Sequence, residues 1–157
     1  QRQMCIRDRD EDGEIRSHTR EELNAQYRSI PDLVHNFVLQ AVFEAQPAPA
    51  EEMERLLEAA RARRKLSQPV GASAGCIFKN PPEIPAGKLI DELGLKGACV
   101  GDACVSDVHA NFIINRGHAR ARDITILIDM IRKEAMENRG IDLKSEAQVI
   151  GDRDPQF

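Results

Sequence analysis

The chain has 157 residues, enough for one domain or for one domain with a piece of another. Its 22 Lys and Arg against 26 Asp and Glu give a net charge of −4, which argues against general binding of nucleic acid, because a phosphate lattice needs a basic surface. Hydrophobic residues make up 41% and charges are interspersed, so a core is expected; no apolar run approaches a membrane span and no signal peptide opens the chain, so the expectation is a soluble, cytoplasmic protein with no nucleic-acid or membrane partner.

Gln1 to Arg9 (QRQMCIRDR) show neither helical nor strand periodicity and resemble translated adapter sequence, so they are set aside as a foreign or disordered terminus. Asp10 to Gly13 (DEDG) reads as a turn, and Ile15 begins a short extended stretch. A calcium loop is a poor reading, since the remaining ligand positions are missing. Thr19 with Glu22 three residues on is a capping box, which predicts a short helix reaching Tyr27. His35 to Ala45 alternates as a strand, with Phe37, Leu39, Ala41 and Phe43 on one face. Pro47 and Pro49 break that strand and mark a domain boundary. A helix follows, with Met53, Leu56, Leu57 and Ala60 along one side. The basic run Arg61, Arg63, Arg64 and Lys65 suits the negative end of its dipole.

Next comes a small-residue segment, GASAGCIFKNPPE, and then a short helix with Leu89, Ile90 and Leu93 inward and Gly94 ending it. Short strands are predicted around Ala98 to Val105 and Asn111 to Asn115. The strongest helix spans about Ala119 to Arg139, with Ile124, Leu127, Ile128, Ile131 and Ala135 as its apolar stripe and Gly140 at its end. A last strand is predicted over Ala147 to Ile150. Short turns join most strand neighbours, so the fold class is α+β rather than a doubly wound parallel sheet. Cys5, Cys76, Cys99 and Cys104 match no zinc spacing, so no metal site is expected, and reduced thiols are expected rather than disulfides.

No glycine-rich phosphate loop and no HExxH motif occurs. Ser106 and His109 lack a positioned acid, which makes a serine-hydrolase reading weak. The segment Ala74 to Glu83 (AGCIFKNPPE) says most. Gly75 allows close backbone approach and Cys76 is presented beside it. Asn80, before Pro81, is held extended, so its amide can face a ligand, and Lys79 adds a cation. Taken alone, the segment reads first as a buried structural Cys and a rigid turn.

AGCIFKNPPE, AGKLIDELGLKG (Ala86 to Gly97), VSDVHANFIIN (Val105 to Asn115) and SEAQVIG (Ser145 to Gly151) occur in that order. Together they closely resemble the C-terminal region of the UDP-N-acetylenolpyruvoylglucosamine reductase (MurB) family, flavoenzymes of bacterial peptidoglycan synthesis. Tyr27-Arg28-Ser29 and LQAVFEA (Leu39 to Ala45) look like the end of that family's flavin-binding region, so the likeness runs from Asp10 to Asp152. The chain is similar to the branch that lacks an extra tyrosine loop.

The resemblance implies residues 10–48 as a remnant of an α+β FAD-binding domain. It implies residues 49–157 as a substrate-binding domain with a small antiparallel sheet and packed helices. It also implies FAD and NADPH as cofactors and a UDP-sugar as the small-molecule substrate. The family places a proton-donating Ser where this chain has Cys76; a thiol, with a reference pKa near ~8.5, can still serve as the acid. Arg28 matches an Arg that stabilises the enolate carboxylate beside the flavin, with Tyr27 next to it. Glu146 matches the C-terminal Glu on the acid side of the site. The family usually follows that Glu with Val and Arg, whereas Ala147 and Gln148 stand here. Arg64, Lys65, Gln68, Lys79 and Asn80 are expected near the diphosphate and sugar, and His109 at a substrate-facing position. Ser106 and Asn111 are expected to hold the turn between strands.

The family's N-terminal flavin-binding subdomain has no counterpart in this sequence. The expectation is therefore a truncated reading frame that holds no FAD and is inactive alone, with residues 10–46 poorly packed. Two other readings stay open: a UDP-sugar-binding module without redox chemistry, and a metal or thiol-redox protein built on Cys76, Cys99 and Cys104.

Overall fold

Strand β1 (Arg2–Arg9) lies at the centre of an antiparallel sheet, between β2 (Ile15–Thr19) and β3 (Phe37–Glu44). This computed structural model describes residues 2–150 and divides into two units, Gln1–Arg55 and Leu56–Phe157. The central place of β1 corrects the reading that set the first nine residues aside. Strand alternation is present, with Ile6 and Asp8 buried and Arg7 and Arg9 exposed. It is hidden because an acid fills an inward position. His18 Nε2 lies 2.8 Å from the Asp8 carboxylate, and the Asn36 side-chain amide donates to it. The Asn36 bond meets one carboxylate oxygen, whereas the other oxygen and His18 Nε2 stand at ion-pair distance without hydrogen-bond geometry.

The DEDG turn forms as predicted, with the Asp10 side chain accepting the Glu14 N–H at 2.9 Å. Glu22 reaches back to the Thr19 N–H at 2.8 Å, yet turns rather than a helix follow as far as Tyr27. The Asn24 N–H goes to the Asp32 carboxylate and the Ala25 N–H to the Leu23 carbonyl. These local bonds displace the helical ladder. The core of this unit is Ile6, Leu23 and Leu33, with Ile30 against it. Every residue of β3 is exposed.

Helix α1 (Ala50–Ser67) runs longer than the sequence predicts and takes the basic run into its own last turns. It buries none of its residues, so the Met53, Leu56 and Leu57 stripe is exposed. The second unit is built on an antiparallel sheet in the order β4 (Ala72–Cys76), β7 (Phe112–Asn115), β6 (Ala103–Val105), β5 (Cys99–Val100). Helix α3 (Ala121–Arg139) packs on β5 and β6 and meets α2 (Ala86–Glu92). Its buried positions are Leu127, Ile128, Ile131 and Ala135, four of the five in the predicted stripe. Gly140 ends it in the left-handed region at φ 65°, a conformation that needs no Cβ. Leu89 and Ile90 of α2, Val105 of β6 and Ile77, Phe78 and Leu143 complete a core of fully buried side chains. The fold is α+β with small antiparallel sheets.

Two local predictions need correction. Residues 147–150 form no strand. A single bridge joins Phe78 to Ser145, and the Glu146 and Ala147 N–H groups both turn to the Ile77 carbonyl, at 2.7 and 3.3 Å. With both donors spent on one acceptor, no ladder extends. Gly151, the last residue of that motif, lies outside the described residues. The expectation of reduced thiols fails at Cys99 and Cys104, which face each other across the β5–β6 hairpin and are joined as a disulfide. Among the described residues no helix is long and apolar enough to cross a membrane.

Candidate functional site

The end of β4, the start of α2 and the loop before β7 enclose a cleft of about 320 Å³ in the second unit. Cys76 stands in its wall. It is the last residue of β4, opposite Phe112 of β7, just past an irregularity in the β4–β7 register. Gly75, at φ 78°, supplies the backbone turn there, a conformation a residue with a Cβ adopts at a cost.

What fixes the backbone just after Cys76 is Asn111, itself buried. Its side-chain carbonyl accepts the Phe78 N–H at 2.9 Å and its amide donates to the Phe78 carbonyl at 2.8 Å. Its main-chain carbonyl accepts the Ile77 N–H, also at 2.9 Å. Three bonds from one residue therefore hold the segment directly after the cysteine. On the same segment, the Glu146 N–H bonds to the Ile77 carbonyl, which places Glu146 beside the immediate neighbour of Cys76.

Across the cleft, Ser106 is fully buried, and its hydroxyl oxygen accepts the N–H groups of Val108 and His109 at 3.1 and 3.2 Å. His109 Nδ1 accepts the Asn111 N–H at 3.2 Å, and its ring meets Phe112 edge-on with centroids 5.0 Å apart. The ring also comes close to the first turn of α2: a Cβ on Gly87 would come within 2.7 Å of His109 Cε1. The Asn80 side-chain oxygen accepts the Ala86 N–H at 3.0 Å and so ties the Asn-Pro segment to α2. Lys88, Asp91 and Lys96 give the wall its charge, with Lys96 Nζ 2.7 Å from the Asp91 carboxylate. A thiol, amides, an imidazole, the Lys88 ammonium and the paired Lys96 and Asp91 around one concave surface suit a polar ligand.

A family model for the C-terminal domain of UDP-N-acetylenolpyruvoylglucosamine reductase matches residues 65–150. The chain belongs to this reductase family. The reductase of Heliobacterium modesticaldum is 42% identical over 146 residues, covering 91% of this chain and 46% of that protein. That of Syntrophobacter fumaroxidans is 43% identical over 130 residues, covering 82% and 38%. The crystal structure of UDP-N-acetylenolpyruvylglucosamine reductase (MurB) from Thermus caldophilus superposes with a TM-score of 0.78 at 36% identity, over 94% of this chain and 52% of that one. The chain spans about half the length of the relatives it matches or less.

Of the residues expected from the reductase resemblance, Cys76, Asn80 and His109 lie together on the cleft. Ser106 and Asn111 hold the turn between strands as expected, through the bonds above. Arg64, Lys65 and Gln68 are at the end of α1 and its exit, where Arg64 Nε donates to the Gln68 side chain at 3.3 Å, and they are not part of the cleft wall. Lys79 is outside that wall too, its N–H bonded to the Lys144 carbonyl at 2.8 Å. Tyr27 and Arg28 belong to the first unit, at the corner of a turn closed by paired bonds between Gln26 and Ser29. Arg28 adopts φ 58°, and its guanidinium sits 5.8 Å from the Tyr27 ring centroid. Sequence reasoning missed Lys88 and Lys96, although both stand inside AGKLIDELGLKG. Among the described residues, no group of three or more His, Cys, Asp or Glu is placed to hold a metal ion.

Proposed function

We propose that this chain is the substrate-binding part of a flavoenzyme that reduces UDP-N-acetylglucosamine enolpyruvate to UDP-N-acetylmuramate with NADPH, a cytoplasmic step of peptidoglycan synthesis. The observation that carries the reading is Cys76, fixed at a strand end on a polar cleft, in a chain of this family. Tyr27 and Arg28 fit the edge of a flavin, offering an exposed ring and a cation on one turn, but the sequence has no glycine-rich loop for the FAD pyrophosphate. FAD reduced by NADPH would supply the hydride.

Hydride addition to the enolpyruvyl double bond leaves a carbanion that needs one proton. Cys76 is the proposed donor of that proton, and Glu146, whose N–H bonds to the Ile77 carbonyl, is assigned to complete the acid side. Arg28 is assigned to the developing carboxylate charge. Asn80 and His109, on the cleft, are assigned to the sugar, with Lys96 and Lys88 facing its phosphates. Lys79, Arg64, Lys65 and Gln68 are assigned to the outer part of the nucleotide, a placement that rests on the resemblance.

Without the phosphate loop, the chain alone is proposed to bind the UDP-sugar without turning it over. The test is calorimetric titration with UDP-N-acetylglucosamine enolpyruvate, alongside iodoacetamide labelling of Cys76. Saturable binding is expected, and ligand at ten times Kd should slow Cys76 labelling roughly tenfold. Failure to bind at millimolar ligand would overturn the substrate assignment. Flavin absorbance together with NADPH oxidation by the purified chain would overturn its inactivity.

A further inference from the structure

The β5–β6 hairpin carries a second chemical feature, separate from the cleft. Cys99 and Cys104 are direct partners in the ladder, with Cα atoms 4.1 Å apart and sulfurs bonded. We propose that this pair is a reversible thiol–disulfide exchange site whose state sets the geometry of the cleft. The inference does not rest on the reaction proposed above.

Access is the first argument. Cys99 is exposed, whereas Cys104 is 2% exposed. An incoming thiolate can therefore reach one sulfur and not the other, which gives exchange a direction. Position is the second. Lys96, three residues before Cys99, and His109, five residues after Cys104, both line the cleft. The strands between them are tied at their open end, where the Gly97 N–H bonds to the Val105 carbonyl at 3.0 Å and the Val105 N–H to the Ala98 carbonyl at 2.8 Å. Directly beyond, Ser106 holds the His109 loop. The disulfide therefore cross-links the roots of two cleft walls. At the closed end, the Asp102 carboxylate accepts the His118 N–H at 2.8 Å and its carbonyl the Arg116 N–H, also at 2.8 Å. With that end anchored, loosening the pair is felt at the end facing the cleft. The reduced form also has a ready partner, since Cys99 Sγ lies 3.2 Å from the Gly97 carbonyl.

The exchange partner is a small dithiol or a dithiol protein. Its thiolate attacks the Cys99 sulfur, the Cys99–Cys104 bond breaks, and Cys104 leaves as thiolate and takes a proton. The partner's second thiol then attacks the mixed disulfide, freeing Cys99 as a thiol. Two electrons and two protons reach the pair, and the partner departs as a disulfide. A small disulfide such as oxidised glutathione reverses each step.

The test uses the whole chain, equilibrated in dithiothreitol or oxidised glutathione without denaturant, then quenched with acid and unfolded so that buried Cys104 is counted when thiols are labelled with maleimide and read by mass. Two labels are expected under oxidation, on Cys5 and Cys76, and four after reduction. Iodoacetamide labelling of Cys76 should differ at least about threefold between the two states, while Cys5 in the first unit keeps one rate. The difference should vanish in Cys99→Ser/Cys104→Ser; Cys99→Ala alone, which also blocks the bond, gives a second measure should the double variant not fold. Four labels under oxidation, a pair that native reduction leaves closed, or one Cys76 rate in both states would each overturn the proposal.

Discussion

Strands β3 and β7 are both apolar and both sit in antiparallel sheets, yet their fates differ. Phe112 and Ile113 of β7 are buried, whereas all eight residues of β3 are exposed. Alternation makes a strand, but only a second layer makes a core. The second unit has such a layer, in α2, α3 and the Ile77-Phe78 segment, and its core includes Leu89, Leu127, Ile131 and Leu143 at or near complete burial. Among its described residues the first unit has three buried apolar side chains, Ile6, Leu23 and Leu33, and one buried acid, Asp8. Cohesion is thus concentrated in the half of the chain that carries the cleft.

The sharpest way to break that contrast is a cavity. Leu127→Ala removes a fully buried side chain and should cost about 2–5 kcal/mol, seen as a large loss in the urea midpoint of the second unit. Ile6→Ala should leave that transition in place and change only the signals of the first unit. One shared transition for both variants would erase the distinction between the units.

Next in size is Asn111→Leu. It leaves the Phe78 N–H and carbonyl without their side-chain partner, at about 1–3 kcal/mol for each buried group. Faster Cys76 alkylation should accompany the loss; unchanged alkylation would mean that Asn111 does not position the cysteine. Gly87→Ala is smaller, about 1–2 kcal/mol of overpacking, because the new methyl displaces a side chain rather than backbone. A shifted His109 ring resonance with a nearly native melting point is the expected signature.

The smallest effect compares one exposed carboxyl from each unit. The Thr19 backbone N–H, with its side chain next, holds Glu22 below the ordinary carboxylate range; Lys144, by its hydrogen bond, does the same for Asp142. A depressed folded value means that the contribution is complete above the ordinary range and fades as pH falls through the lowered one. Glu22→Gln should abolish the acid-side change at the Thr19 amide and leave Lys144 unaffected. Persistence of that change would assign it to another group.

Much of the second unit was legible because its apolar residues follow a helical period and its stops are glycines, as at Ile131, Ala135 and Gly140. β1 was not, since Asp8 occupies an inward position where a pattern search wants an apolar residue. The helix expected after Thr19 failed for the opposite reason: the capping bond formed, but side-chain and turn bonds took the donors that would continue it. The disulfide depends on a hairpin register that spacing alone does not fix. In the cleft, Cys76 and Asn80 were legible from a single segment, and Ser106 and Asn111 as turn-holders. Lys88 and Lys96 carry no motif of their own within AGKLIDELGLKG, and only the fold shows that both line the cleft.

The outer side of β3 has one more consequence. In the order β2-β1-β3 it is an end strand, and FVLQAVFE carries a single charge and no proline. Such a ribbon is a template for intermolecular stacking. Concentrated stocks should grow dye-binding fibrils through this segment, and Leu39→Lys would act as the missing gatekeeper.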